Sequence, residues 1–178
     1  MIENANRPLA IFSIMSTFLL GGCSATGVLN AVTTSSNYTL NADVAYGNQP
    51  RQKLDIYTPT SVARPPTGWP VVVFFYGGSW NTGGRTQYQF LGEALAARGV
   101  LTLVADYRLY PEVRYPDFLI DSAQALAYGF NNAARLGGDP RRVFVMGHSS
   151  GGYNAALLAL DARWLDRSGR AVRFLSNH

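Results

Sequence analysis

Short apolar runs and amphipathic stretches alternate along most of this chain. Apolar residues in short runs predict buried strands, and apolar residues at three- and four-residue spacing predict helices. The predicted strands cover 41–45, 53–57, 70–76, 100–105 and 142–146, and the predicted helices cover 87–98, 116–136 and 152–160. This alternation predicts an α/β fold, with a mostly parallel sheet and helices on both faces of the sheet.

A serine lies in the turn between the last predicted strand and the helix that follows it. The turn reads Gly147-His148-Ser149-Ser150-Gly151. A G-x-S-x-G turn in this position is typical of a nucleophile elbow, which holds the serine oxygen above the end of the sheet. An ordinary turn rich in glycine and serine would have the same sequence. The strand and the helix around it favour Ser149 as a nucleophile.

A second glycine motif follows the most strand-like run of the chain. It reads Y-G-G-S-W from residue 76 to residue 80. Acyl transfer needs N–H donors aimed at the oxygen that becomes negative in the tetrahedral intermediate. Gly77 and Gly78 would expose such N–H groups, and the residue after the nucleophile, Ser150, would supply another. A plain glycine loop is the alternative to this predicted oxyanion hole.

Together, the two motifs resemble the α/β-hydrolase superfamily, and more narrowly its esterase/lipase branch, whose oxyanion loop reads H-G-G-x-W. The resemblance runs from about residue 46 to residue 164 and includes Q-K-L-D-I-Y at 52–57, D-Y-R-L-Y-P at 106–111 and G-D-P at 138–140. It departs at Tyr76, where that branch usually has histidine. The resemblance implies an α/β-hydrolase fold, a small-molecule ester substrate and no cofactor.

The general base and the acid that orients it are not evident in this chain. In the superfamily both follow the serine along the sequence, and few residues follow Ser149 here. His148 is next to the serine, so its imidazole should point elsewhere, and His178 is the last residue. Asp106 follows a strand, but the resemblance implies a structural role tied to Arg108 and the loop. We expect the catalytic acid and base beyond residue 178, an open sheet edge at the elbow strand, and an inactive isolated chain.

Two classes of function are open. The first is a serine ester hydrolase of the carboxylesterase type, which forms an acyl-enzyme at Ser149. A polysaccharide esterase and an arylformamidase-like amide hydrolase are rivals within this class. The second is a non-catalytic lipoprotein, either a degenerate remnant or a binding module on a hydrolase scaffold. The DNA after codon 178 would distinguish them, because an Asp and a His encoded there in another reading frame would mark a broken enzyme gene.

The N-terminal residues 1–22 have the pattern of a secretory signal, with a polar start, an apolar run and small residues at the end. The apolar run is too short to span a membrane. Small residues directly before Cys23 resemble a bacterial lipoprotein box, in which that cysteine is lipidated. A buried free thiol and a signal cleaved elsewhere are the alternatives. Lipidation would anchor the protein in the bacterial cell envelope, at the outer membrane rather than the inner one; without it, the protein would be periplasmic or secreted.

Four segments follow from these patterns. We expect a lipoprotein signal peptide over 1–22, a flexible tether over 23–40, a partial α/β-hydrolase domain over 41–168, and a short tail over 169–178. The tether is rich in serine, threonine and asparagine. The tail reads as the start of a next strand or as an out-of-frame end.

Charge and composition add little to this picture. The net charge is +4 and the isoelectric point is about 9.4, but the arginines are dispersed and form no stripe with aromatic residues. This distribution favours a solvated surface over a nucleic-acid site. The single Cys and two His have no metal-ligand spacing, so we predict neither a metal nor a cofactor. No pattern indicates the oligomeric state.

Overall fold

The predicted apolar runs form strands, and the strands make one sheet. The structure is a computed structural model that describes residues 25–31, 33 and 36–167 of the chain. The elements in chain order are α1 Ala25–Ala31, β1 Tyr38–Ala45, β2 Lys53–Pro59, β3 Trp69–Phe75, a 3-10 turn Arg85–Tyr88, α2 Gln89–Ala96, β4 Leu101–Ala105, α3 Asp117–Asn132, β5 Gly138–Gly147, α4 Ser150–Leu160 and α5 Arg163–Arg167.

The sheet has five strands in the order β1-β2-β4-β3-β5. β3 pairs in parallel with both β4 and β5, whereas β2 pairs antiparallel with both β1 and β4. β1 and β2 are antiparallel because the connection over 46–52 is too short to hold a crossover helix. The sheet is therefore mixed. Its parallel strands β3 and β5 carry the two glycine motifs at their C-terminal ends.

Helices cover both faces of the sheet, as the sequence predicts. Val73 and Leu103 are register partners, so their side chains share one face, and Gly129 of α3 packs on both of them. Tyr57 belongs to the opposite face, where Gly92 of α2 packs on its ring. The buried core lies in these two layers between sheet and helices. The α/β fold class is thus confirmed.

β5 forms an open edge in the described part of the sheet, where its one partner is β3. Phe144 and Met146 on this strand are 54% and 42% exposed, whereas Phe74, the β3 partner of Met146, is buried. An apolar groove of about 340 Å³ follows the strand, with Leu126 and Leu158 among its lining residues. Among the described residues, the elbow strand thus has the open edge that we expected.

The N-terminal described residues differ from the flexible tether that we expected over 23–40. Part of that segment forms α1, which is attached to the domain through Asn30. The Asn30 side chain donates to Thr86 O at 2.9 Å and accepts from Phe90 N at 3.0 Å. This side chain pairs one backbone group of the 3-10 turn and one at the start of α2, and so fixes α1 against the domain.

Several boundaries also differ from the predicted ones. β1 begins at Tyr38 instead of residue 41, and α3 ends at Asn132 instead of residue 136. The short helix α5 was not predicted. The signal peptide over 1–22, the lipidation site Cys23 and the tail over 169–178 lie outside the described residues. None of the helices in the described part combines the length and apolar character that a membrane-spanning helix needs.

Candidate active site

Ser149 lies on a sharp turn between the end of β5 and the start of α4. Its φ is 52° and its ψ is −119°. Backbone angles of this kind cost a non-glycine residue on the order of 1–3 kcal/mol and are typical of functional sites. The residue is exposed, so its hydroxyl is open to a molecule that approaches from solvent.

The glycines on either side of Ser149 are required by close backbone contacts. A Cβ built on Gly147 would lie 2.2 Å from the carbonyl oxygen of Gly151. One built on Gly151 would lie 2.2 Å from the carbonyl oxygen of Phe75 on β3. The G-x-S-x-G pattern therefore lets β5, α4 and β3 meet at one point.

The loop after β3 lies directly against this turn. A Cβ built on Gly77 would be 2.9 Å from the Cβ of Ser149. The backbone N–H of His148 donates to Phe75 O at 3.0 Å, which extends the pairing of β3 and β5 into the turn. These contacts fix the position of the loop relative to the serine.

Gly78 and Ser150 are the other predicted oxyanion donors. Gly78 has a φ of 139°, and its carbonyl oxygen accepts from Asn81 N at 3.0 Å and Thr82 N at 3.1 Å. Ser150 is the first residue of α4, where backbone N–H groups have no partner within the helix. The structure thus brings the four predicted site residues together at the C-terminal ends of β3 and β5. Their catalytic roles stay predictions.

His148 is the one histidine in the described part of the chain. Its Nδ1 lies 3.1 Å from the Tyr88 hydroxyl, which orients the imidazole toward the turn before α2. This contact is consistent with the expectation that His148 is not the general base. Within the described residues, no group of three or more His, Cys, Asp or Glu residues is placed to hold a metal ion. His178 lies outside the described residues.

The model of the BD-FAE family matches residues 54–175, a range that includes the loop after β3 and the turn at Ser149. The chain belongs to the BD-FAE family. Its relatives include esterases, and the fold described above recurs in solved esterase structures. The resemblance to the esterase/lipase branch of the α/β-hydrolases is therefore confirmed.

Two curated relatives and one solved structure show how similar this BD-FAE chain is to known esterases. The isoprenylcysteine alpha-carbonyl methylesterase of Arabidopsis thaliana is 35% identical over 129 residues, which cover 72% of this chain and 30% of the relative. Carboxylesterase NlhH of Mycobacterium tuberculosis is 42% identical over 109 residues, which cover 59% and 34%. A bacterial heroin esterase superposes with a TM-score of 0.66 at 30% identity, covering 78% of this chain and 44% of the esterase. The chain thus spans 30% and 34% of the two curated relatives and 44% of the solved esterase.

Tyr76 stands in this BD-FAE chain where the resemblance leads us to expect histidine. Its buried ring stacks on Tyr107 with centroids 4.7 Å apart, and its hydroxyl accepts from Arg51 Nη2 at 2.7 Å. The same guanidinium nitrogen donates to Gly83 O at 2.9 Å. Burial raises the pKa of the Tyr76 phenol above its usual value. Tyr76 and Arg51 therefore brace the loop, a pairing between distant positions that leaves no local signal in the sequence.

The Tyr107 side chain supports the same loop by binding the loop backbone. Its hydroxyl donates to the carbonyl oxygen of Tyr76 at 2.7 Å. Burial raises the pKa of Tyr107 to about 12, so this phenol is a donor throughout the neutral pH range. The peptide group that precedes Gly77 is thereby held in one orientation.

Asp106 is structural, but the partner that we expected for it is wrong. Its carboxylate accepts from the backbone N–H of Arg85 at 2.8 Å and pairs with the guanidinium of the same residue. Arg108 instead donates to Asp121 of α3 at 2.7 and 2.8 Å. Arg85 precedes α2 on one face of the sheet, whereas Asp121 belongs to α3 on the other. Asp106 and Arg108, which we expected to pair with each other, therefore bind residues on opposite faces of the sheet.

Arg85 joins three carboxylates into one cluster, in which Asp55 and Asp106 are buried and Asp43 is exposed. Besides Asp106, its guanidinium contacts Asp55 of β2 at 2.8 Å and Asp43 of β1. The side chains of Asp55 and Asp106 are only 5% and 9% exposed. The cluster thus ties β1, β2 and the C-terminal end of β4 to the segment that follows the candidate oxyanion loop.

One further residue at the site was missed by the sequence analysis. Asn154 of α4 is fully buried and accepts a hydrogen bond from Trp80 Nε1 at 3.0 Å. A lone amide within the apolar helix after Ser149 was the only signal that could have indicated it.

Proposed function

We propose that this chain carries the nucleophile and the oxyanion hole of a serine ester hydrolase. The observation that carries the proposal is the strained, exposed Ser149 packed directly on Gly77. In the proposed reaction Ser149 Oγ forms a bond to the ester carbonyl carbon. The carbonyl oxygen becomes negative and accepts hydrogen bonds from the N–H groups of Gly77, Gly78 and Ser150.

The intermediate then expels the alcohol, and an acyl-enzyme on Ser149 remains. Water attacks the acyl-enzyme, the acid product leaves, and the serine regains its proton. These transfers need a base, which takes the serine proton and delivers it to the alcohol. We expect that base and its acid beyond residue 178, as in the order Ser, acid, His of the superfamily.

The names of the relatives support esters as the substrate class. A methylesterase, a carboxylesterase and a heroin esterase all cleave ester bonds, so we propose a small-molecule ester for this protein. The second candidate, a non-catalytic scaffold, is favoured by one observation. Among the described residues, the only histidine is directed at Tyr88 and not at Ser149.

The test of this function uses two proteins. One is the 178-residue chain, and the other is an extended chain in which the C-terminal half of carboxylesterase NlhH follows residue 167. The extended chain should hydrolyse p-nitrophenyl acetate and react rapidly with a fluorophosphonate probe. The 178-residue chain should show no esterase turnover and should react with the probe only slowly. Ser149→Ala should abolish both signals, and Ser61→Ala, at an exposed serine after β2, should leave both unchanged. Unchanged labelling of Ser149→Ala would exclude this serine as the nucleophile, and a folded but inactive extended chain would favour the scaffold.

We also propose that Cys23 carries a lipid anchor in the bacterial cell envelope. The support is the signal-like pattern over 1–22 and the small residues before the cysteine. Two acyl chains on one residue bind a bilayer firmly, whereas a single chain binds weakly. Cys23→Ser should therefore move the protein from the membrane fraction to the soluble fraction. A chain that keeps its first 22 residues in the cytosol would contradict the anchor.

A further inference from the structure

We propose that Asn154 is a positioning residue that holds the candidate oxyanion loop against the nucleophile turn. The proposal deepens the proposed function and rests on it. Asn154 lies on α4, the helix that begins directly after Ser149. Its partner Trp80 lies in the loop that contains Gly77 and Gly78. The hydrogen bond from Trp80 Nε1 to Asn154 Oδ1, 3.0 Å long, therefore joins the two sides of the site.

The hydrogen bonds around Asn154 can run in only one direction. The indole of Trp80 is a donor only, so Asn154 has to present its Oδ1. Its Nδ2 then faces Ser122 Oγ at 3.1 Å. Ser122 donates its own hydrogen to Phe118 O at 2.9 Å and is left as an acceptor for Asn154. An aspartate would lack the donor, and a leucine would lack both groups.

Trp80 depends on these contacts because its backbone is strained. Its φ is 58°, a left-handed value that persists only where the surroundings enforce it. The ring stacks on Phe118 of α3 at a centroid distance of 5.2 Å, and it forms a T-shaped pair with Tyr153 of α4 at a centroid distance of 5.4 Å. The hydrogen bond to Asn154 fixes how far the ring reaches toward α4. Trp80 thus transmits the position of α4 to the loop.

The oxyanion donors come from these same two elements. The N–H groups of Gly77 and Gly78 move with the loop, and the N–H of Ser150 moves with α4. Oxyanion stabilisation needs all donors at hydrogen-bond distance at once. A displacement of 1 Å in such a site can cost about 10²-fold in rate. We expect loss of the link between Trp80 and Asn154 to cost roughly tenfold, because packing still limits the displacement.

Three variants separate positioning from plain stability. Asn154→Leu removes both hydrogen bonds at similar volume, and Trp80→Phe keeps an aromatic ring but removes the indole N–H. Ser122→Ala is the matched control, because it deletes a buried hydroxyl of the same network and leaves the Trp80–Asn154 bond in place. The protein is the 178-residue chain, and the readout is the slow labelling of Ser149 by a fluorophosphonate, followed by intact mass. A site without its base retains reactivity that comes from the oxyanion hole.

Asn154→Leu and Trp80→Phe should each slow the labelling of Ser149 about tenfold, and the double variant should be no slower than either. Ser122→Ala should label at nearly the parent rate, even where it unfolds as easily as Asn154→Leu. Equal labelling rates in all variants, with lowered stability alone, would overturn the proposal.

Absence of labelling at Ser149 in both the 178-residue chain and the extended chain would count against the proposed function, and backbone amide spectra then decide on Asn154 separately. In these spectra Asn154→Leu and Trp80→Phe should shift the Gly77 and Gly78 amide resonances, and Ser122→Ala should shift them much less. Equal shifts in all three variants would overturn the positioning role.

Discussion

The two strands that carry the site differ in how they are supported. The loop after β3 is held by Arg51, Tyr107 and its own backbone hydrogen bonds, and Phe75 at its start is fully buried. β5, which leads to the serine, has an unpaired edge in the described part of the sheet and exposes Phe144. The oxyanion side is therefore stabilised from within the described residues, whereas the nucleophile side is supported on one edge only.

The largest effect on stability is expected at Arg85, the cation that ties the segment after the candidate oxyanion loop to the sheet. Arg85→Leu would leave the buried Asp55 carboxylate without its guanidinium and weaken the pairing of Asp106. Removing one partner from buried pairs costs about 3–5 kcal/mol, so the free energy of unfolding in urea should fall by about that amount. Arg163→Leu is the control, because Arg163 pairs with Asp161 on the surface, and it should cause no measurable change. Equal effects in the two variants would show that the cluster adds nothing to stability.

Gly78→Val tests the candidate oxyanion loop through its effect on kcat in the extended chain. Its φ of 139° disfavours any side chain, and a Cβ would lie 2.2 Å from Thr82 O, so the loop has to move. Loss of one oxyanion donor lowers kcat by about 10²–10³. Gly84→Ala in the extended chain is the control, because the nearest atom to its added Cβ is 3.8 Å away. A Gly78→Val variant with the parent kcat would remove this loop from the mechanism.

A smaller effect is expected from the buried tyrosine under the loop. The pKa of Tyr107 is raised to about 12 in the folded chain, and in the unfolded chain it returns to about 10. The contribution to stability is therefore complete below about pH 10 and is lost as the pH rises to about 12. Unfolding measured across this range should show a flatter decline in Tyr107→Phe than in the parent. Identical declines in Tyr107→Phe and in the parent would contradict the assignment.

The smallest effect on stability is expected at the open edge. Phe144→Lys replaces an exposed apolar side chain on β5, so the free energy of unfolding should change by no more than about 0.5 kcal/mol. Self-association measured by light scattering should nevertheless decrease, because a charged edge strand resists pairing with other chains. Leu160→Lys, on the surface of α4, should leave association unchanged although that residue is 85% exposed. Association that is insensitive to Phe144→Lys would mean that the edge of β5 is not the contact.

The parts of the molecule that could be predicted from the sequence are those with local signals. The apolar runs gave the strands β3 and β5, and G-x-S-x-G gave the turn at Ser149, because strand, turn and helix are neighbours in the chain. The mixed pairing of the sheet was harder to predict, since the antiparallel pairing of β2 and β4 joins segments that are far apart in the sequence.

The side chains that support the site could not be predicted either, because their partners are far away in the sequence. Arg85 reaches Asp55, 30 residues away, and Trp80 reaches Asn154, 74 residues away. A single arginine or asparagine carries no pattern that names its partner. The error at Asp106 shows this limit directly: Arg108 is near in sequence, yet the fold pairs it with the opposite face of the sheet.

The attachment of α1 through Asn30 sets how far the domain could travel from an anchor at Cys23. A fully extended segment over 23–40 would allow roughly 60 Å of reach. Fixing Asn30 to the start of α2 leaves roughly 15 Å, about 8 Å along the helix and 7 Å before it. A lipid on Cys23 would therefore hold the domain beside the bilayer, and the volume within which Ser149 meets its substrates would be a thin layer along the membrane surface.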